Sequence, residues 1–141
     1  MFDGVKEKLT ARQAELAAQA EGRVVKCHSA AELSALLTAA SAAHTLTVID
    51  FTAVWCGPCK HVAPIFGQLS VQHADVQFVK VDVDECEDVS GEYGVEAMPT
   101  FVFVRDGSEL KEYRIQGANV KALTRAIELL SATDTAQTGA T

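Results

Sequence analysis

The chain is poor in the features that would send it to a membrane or to a nucleic acid. None of its apolar runs approaches the ~18 residues that a membrane-spanning helix requires. The opening also lacks the apolar segment that forms the middle of a secretory signal, so none is expected. Phe2 stands directly after Met1, where N-myristoylation needs glycine. Basic residues are few and dispersed: 12 Lys and Arg against 19 Asp and Glu leave a formal net charge of -7. With no basic block to track phosphates, nucleic-acid binding is not expected. Cysteine is scarce too, at four residues, Cys27, Cys56, Cys59 and Cys86. A secreted disulfide scaffold would be smaller and denser in cysteine. A reducing compartment, most simply the cytosol, fits this usage.

What is there suffices for one domain: 141 residues can bury roughly two thirds of the surface of the unfolded chain. Residues 2 to about 20 are rich in Lys, Glu, Gln, Ala and Leu, all good helix formers. Phe2, Val5, Leu9 and Leu16 make a thin apolar stripe there, and the charges balance. Organelle transit peptides are poor in acids, so the match to one is weak. The segment reads as a helix packed loosely on the domain or projecting from it, with a membrane or partner anchor as the alternative. Gly22 ends it.

From there strands and helices alternate. Residues 23–27 form a short strand. Ser29 with Glu32 makes a capping box that opens a helix to about Ala40. Residues 45–53 are apolar on both faces, as in the centre of a sheet covered on two sides. After Cys59, Val62, Ile65, Phe66 and Leu69 mark a helical stripe, and Pro64 should bend that helix. Residues 76–83 form another buried strand, which makes 46–83 a parallel β-α-β crossover. A helix over about 85–93 ends near Gly94, and 100–104 is a strand. Asp106-Gly107 signals a hairpin. Leu110, Tyr113 and Ile115 lie on the returning strand, with a spacing that implies a bulge or imperfect register, and Gly117 breaks it. Val120, Leu123, Ile127 and Leu130 mark a last amphipathic helix. The tail from Ser131, small and polar, should fray. The expected organisation is an extension over 1–22, an α/β domain over 23–131 with a mixed, mostly parallel sheet, and a flexible tail over 132–141.

The chemistry concentrates at Asp50-Phe-Thr-Ala-Val-Trp-Cys-Gly-Pro-Cys-Lys60. Cys56 and Cys59 fall in the turn between a buried strand and a helix. A helix N-terminus carries partial positive charge and unpaired N–H groups, which favour a thiolate over a thiol. Two cysteines one turn apart can also close a small disulfide ring and reopen it. A C-x-x-C beside a β-α-β pattern is a strong signal for reversible dithiol–disulfide exchange. Zinc is the competing use of such a pair, with Cys27-His28 as the second. Structural zinc prefers compact spacing with little intervening fold, and here a complete helix and a buried strand intervene. No metal is expected. His61 reads as a solvated helix residue.

From 24 to 130 the chain resembles the thioredoxin family, most nearly its cytosolic type. The resemblance rests on Trp55-Cys56-Gly57-Pro58-Cys59-Lys60, on Asp50 and Phe51 upstream, on Pro64, on Met98-Pro99-Thr100, and on Gly107 and Gly117. It implies a five-stranded sheet flanked by four helices, with no bound cofactor. It also implies reduction of disulfides in other proteins, as part of electron transport and cell redox homeostasis. Re-reduction would come from a thioredoxin reductase.

The resemblance assigns roles as well. Cys56 is the nucleophile, and Cys59, shielded in the first helical turn, resolves the mixed disulfide. Asp50, buried in a doubly covered strand, should have a raised pKa and accept the Cys59 proton. The plainer reading is a buried carboxylate paired with Lys80, one strand over; the two are compatible, since Lys80 would partly offset that rise. Gly57-Pro58 tunes the couple toward reduction. Pro99 should follow a cis bond, and Met98 should pair with an extended substrate chain through its backbone. Trp55 shields the dithiol, while Val54, Val95 and Ala97 would surround it as a flat apolar docking surface. Cys27 and Cys86 read as reduced, partly buried thiols. Cys86, with no neighbour to pair with in the sequence, is expected to be passive, and the molecule mostly monomeric. A redox-inactive docking module on the same fold is the alternative reading; intact Cys56, Cys59 and Asp50 weigh against it.

Overall fold

A computed structural model of the chain describes residues 21–140, with side chains as far as Ser131. The expected N-terminal helix and its stripe of Phe2, Val5, Leu9 and Leu16 lie outside the described residues. The strands are β1 (Val25–Cys27), β2 (Thr47–Thr52), β3 (Gln77–Asp82), β4 (Thr100–Arg105), β5 (Ser108–Glu109) and β6 (Ile115–Gln116). The α-helices are α1 (Ala30–Ala42), α2 (Gly57–Gln72), α3 (Glu87–Glu92) and α4 (Val120–Ala140). Among the described residues these make one mixed sheet and four α-helices. The sheet runs β1-β3-β2-β4-β5, with β6 also paired to β4. β1 and β2 lie parallel to β3, as a β-α-β crossover requires. β4 runs antiparallel to β2.

Alternation along the central strands builds two cores from one sheet. Val48, Phe78, Phe101 and Phe103 enter one, which Val62, Phe66 and Leu69 of α2 close together with Leu123, Ile127 and Leu130 of α4. Ile49, Phe51, Val79, Val81, Val102 and Val104 enter the other, beneath Leu33 of α1 and Val89 of α3. A sheet covered on both faces explains why β2 and β4 read as near-continuous apolar runs.

The local signals act where the side chains predict. Ser29 caps α1, its side chain accepting from the Glu32 N–H at 3.2 Å. Glu32 reaches back one residue further than a capping box usually does, and accepts from the His28 N–H at 2.6 Å. Gly22 takes φ +55°, and a Cβ there would lie 2.3 Å from the Gly67 carbonyl oxygen of α2. It is therefore a site of close packing. Beside it, the Arg23 N–H donates to Ser70 Oγ at 2.8 Å.

Two expectations need correction. The returning strand over Leu110, Tyr113 and Ile115 is not continuous: a 3-10 turn at Lys111–Tyr113 divides it into β5 and β6. Glu109 faces Val104 while Ile115 faces Phe101. Six steps of the returning chain thus span three of β4, an excess too large for a single-residue bulge. The excess lets Leu110 and Tyr113 pack on the α2/α4 core instead of alternating across a ladder. The last helix also does not stop near Leu130; its helical backbone continues to Ala140.

Candidate active site

Cys56 is the N-cap residue of α2, and its sulfur accepts from the Cys59 N–H at 3.2 Å. Pro58 sits in the first turn, where its missing N–H leaves no helical bond unmade. Cys56 and Cys59 form a disulfide with Cα atoms 5.3 Å apart, inside the usual bridging range. Pro64 occupies the interior of the same helix, where it leaves the Lys60 carbonyl without its helical donor.

In this oxidised form Cys56 is 5 % exposed and Cys59 3 %. Cys56 is thus more covered than its place ahead of the helix suggests. The cover comes from Ala53, Val83 and Met98, which pack around the pair. The Met98 carbonyl oxygen lies 3.7 Å from Cys56 Sγ. The Met98–Pro99 peptide bond is cis. Pro99 is buried and Met98 half-buried. Thr100 Oγ1 donates back to the Ala97 carbonyl, which ties the segment to the start of β4.

Trp55 and Val54 are the exposed apolar residues beside the pair, at 64 % and 74 %. The Trp55 indole N–H donates to Asp84 Oδ2 at 2.8 Å. Asp84 was invisible as a site residue: in the run Val-Asp-Val-Asp of 81–84 nothing distinguishes it from Asp82. The two acids do different work, since Asp82 Oδ1 accepts from the N–H groups of Asp84 and Glu85 and shapes the turn that presents Asp84. Ala97 is exposed. Val95 is half-buried and packs inward, toward the core that holds Phe51 and Val89.

Asp50 stands in β2, the strand that leads into the site. It is 1 % exposed, and its Oδ1 has no hydrogen-bond partner in the protein. Burial pushes its carboxyl from 3.8 up to about 7, against the Lys80 charge, which pulls it down. In the sheet Asp50 faces Lys80, and Lys80 faces Lys26. No direct ion pair joins Asp50 to Lys80; the lysine acts on it at longer range. Lys80, Lys26, Lys60 and Cys59 share the lining of one cavity of about 430 Å³. Cys59 and the lysine opposite Asp50 therefore line the same space. Among the described residues no group of three His, Cys, Asp or Glu side chains is arranged to hold a metal ion.

Comparison with known proteins gives a consistent answer. The family model described as Thioredoxin matches residues 24–128. Thioredoxin H3 of Arabidopsis thaliana is 50% identical over 93 residues, covering 66% of this chain and 78% of the relative. A Thioredoxin H-type of Picea mariana is 43% identical over 116 residues, covering 82% and 91%. Among solved structures, the thioredoxin NaTrxh of Nicotiana alata superposes with a TM-score of 0.71 at 40% identity, covering 75% of this chain and 90% of that one. Poplar thioredoxin h, PtTrxh4, gives 0.73 at 34% identity, covering 77% and 96%. With its disulfide at the head of α2 and the matching sheet beneath it, this chain belongs to the thioredoxin family, and it is a thiol–disulfide oxidoreductase that reduces protein disulfides through Cys56 and Cys59.

Proposed function

We propose that Cys56 is the attacking sulfur and Cys59 the resolving one, with Asp50 as the proton acceptor between the two steps. In the reduced protein, the α2 N-terminus and the Cys59 N–H favour the Cys56 thiolate. That thiolate attacks a target disulfide, forms the mixed disulfide and releases the first target thiolate. Cys59, one turn into the helix, must lose its proton before it can attack. A carboxylate with a pKa of about 7, buried in the strand that leads to the pair and with one oxygen lacking a hydrogen-bond partner, is matched to that transfer near neutral pH. The Cys59 thiolate then attacks Cys56 Sγ, closes the Cys56–Cys59 disulfide and frees the second target thiolate. Two electrons pass from the dithiol to the target.

Lys80 keeps the Asp50 pKa from rising further, and Gly57-Pro58 holds the ring geometry that favours the reductant. Trp55, Val54, Met98 and Ala97 form the face that meets the target, with Pro99 beside the sulfurs; Val95 supports it from below. The observation that carries this reading is the disulfide at the helix head, reached from a strand that buries a carboxyl with one unpartnered oxygen. A thioredoxin reductase is the proposed electron donor, disulfide-containing proteins are the targets, and the monomeric protein works in the cytosol. The test is insulin reduction by wild type and by Cys56→Ser. Wild type should precipitate the insulin B chain and Cys56→Ser should not; equal rates would overturn the assignment.

A further inference from the structure

Cys86 is not the isolated thiol that its sequence surroundings suggest. It is the N-cap residue of α3, and its Sγ lies 3.9 Å from the backbone carbonyl oxygen of Cys27. The Cys27 Sγ donates to the Ser29 carbonyl at 3.3 Å. Both side chains lie in the same apolar cluster, with Leu33, Val81 and Val89, and each residue is 2 % exposed. No local sequence pattern joins them, because 58 residues separate the two in the chain. The parallel β1–β3 pairing and the turn after β3 bring them together.

We propose that Cys27 and Cys86 form a second redox site, separate from the Cys56–Cys59 pair, which closes to an intramolecular disulfide when the protein meets a hydroperoxide. A cavity whose lining includes Cys27 and His28 gives a molecule as small as hydrogen peroxide a route to this end of the core. The Cys27 sulfur attacks the peroxide O–O bond, becomes a sulfenic acid and releases one water. The Cys86 sulfur then attacks the Cys27 sulfenic sulfur and displaces a second water. Two thiols are oxidised, and one peroxide is reduced to two waters. Closing the bridge gives up the two S–H···O contacts that the thiols now make, and thiols are weak donors. Burial pushes both thiols up, so this pair reacts after the one at the helix N-terminus.

The wild-type protein suffices for the test. With Cys56–Cys59 bridged, Cys27 and Cys86 are the two remaining thiols. The oxidised full chain is treated with excess hydrogen peroxide, then unfolded in iodoacetamide and digested with trypsin and Glu-C. Cleavage after Lys26, Glu32, Glu85 and Glu87 separates Cys27 and Cys86 from each other and from the first pair. The expected product is a peptide from one chain joining Cys27 to Cys86, two hydrogen masses lighter than the sum of its parts and reopened by dithiothreitol. Thiols that remain alkylatable, cysteines that gain oxygen without bridging, or a bridge between two chains would each overturn the proposal. In Cys27→Ser the same treatment should leave Cys86 alkylatable; loss of the Cys86 thiol as fast as in wild type would also overturn it.

Discussion

Asp50 and Lys80 stand opposite each other in the β2–β3 ladder, yet no direct ion pair joins them. The carboxyl stays desolvated and lacks a full counter-charge, so burial outweighs the lysine and the pKa settles at about 7. A contact ion pair would hold the carboxyl ionised and unable to take a proton. Full burial without a cation would lock it as the acid.

That balance sets a pH dependence of stability. A carboxyl with a folded pKa of about 7 and an ordinary value of 3.8 binds its proton more tightly in the folded protein. Its contribution is therefore full below the ordinary value, is lost as pH rises through about 7, and is level above. A rise of about three in pKa corresponds to ~4 kcal/mol. Urea unfolding of the oxidised protein should show wild type losing stability between pH 4 and 8 relative to Asp50→Asn. The variant should be the more stable of the two at pH 8. Parallel curves would contradict the buried titration. In the reduced protein, the Cys59 titration should shift in Asp50→Asn.

Cys59→Ser removes the sulfur proposed to resolve the mixed disulfide while leaving the N-cap sulfur in place. Target turnover should be lost, and mixed disulfides through Cys56 should accumulate on non-reducing gels. Cys56→Ser should trap none. Trapping through Cys59 in Cys56→Ser would reverse the two roles.

Asp84 holds the indole of Trp55, the chain's one tryptophan. Asp84→Ala should shift the tryptophan emission and raise KM for a protein disulfide about fivefold. That corresponds to ~1 kcal/mol, the usual worth of a single hydrogen bond. The kcat should change less than KM, because Asp84 orients the docking face and does not touch the sulfurs. An unchanged emission spectrum would mean that the indole is held by packing alone.

Gly22→Ala combines a left-handed backbone with a collision against the Gly67 carbonyl. The conformation alone costs ~1–2 kcal/mol, and backbone cannot yield as a side-chain tip can. The urea midpoint should fall, with an apparent loss of ~2 kcal/mol or more. Gly107→Ala, at φ +80° with open space around it, should lose only the conformational part. Equal losses would show that the packing on α2 contributes nothing.

Much of this protein is written in short-range pattern. The position of Cys56 and Cys59 at a strand-to-helix turn, the capping of α1 by Ser29 and Glu32, and the doubly covered β2 all follow from residues within a few places of each other. Periodicity and capping are local, so a one-dimensional reading suffices for them. Tertiary structure alone decided what depends on register and on chain return. It put Lys80 opposite Asp50 without contact, brought Asp84 under Trp55, divided the returning strand at Lys111–Tyr113, and set Cys86 against Cys27. These are pairings across strands and loops, and their energies depend on distances that no local pattern encodes.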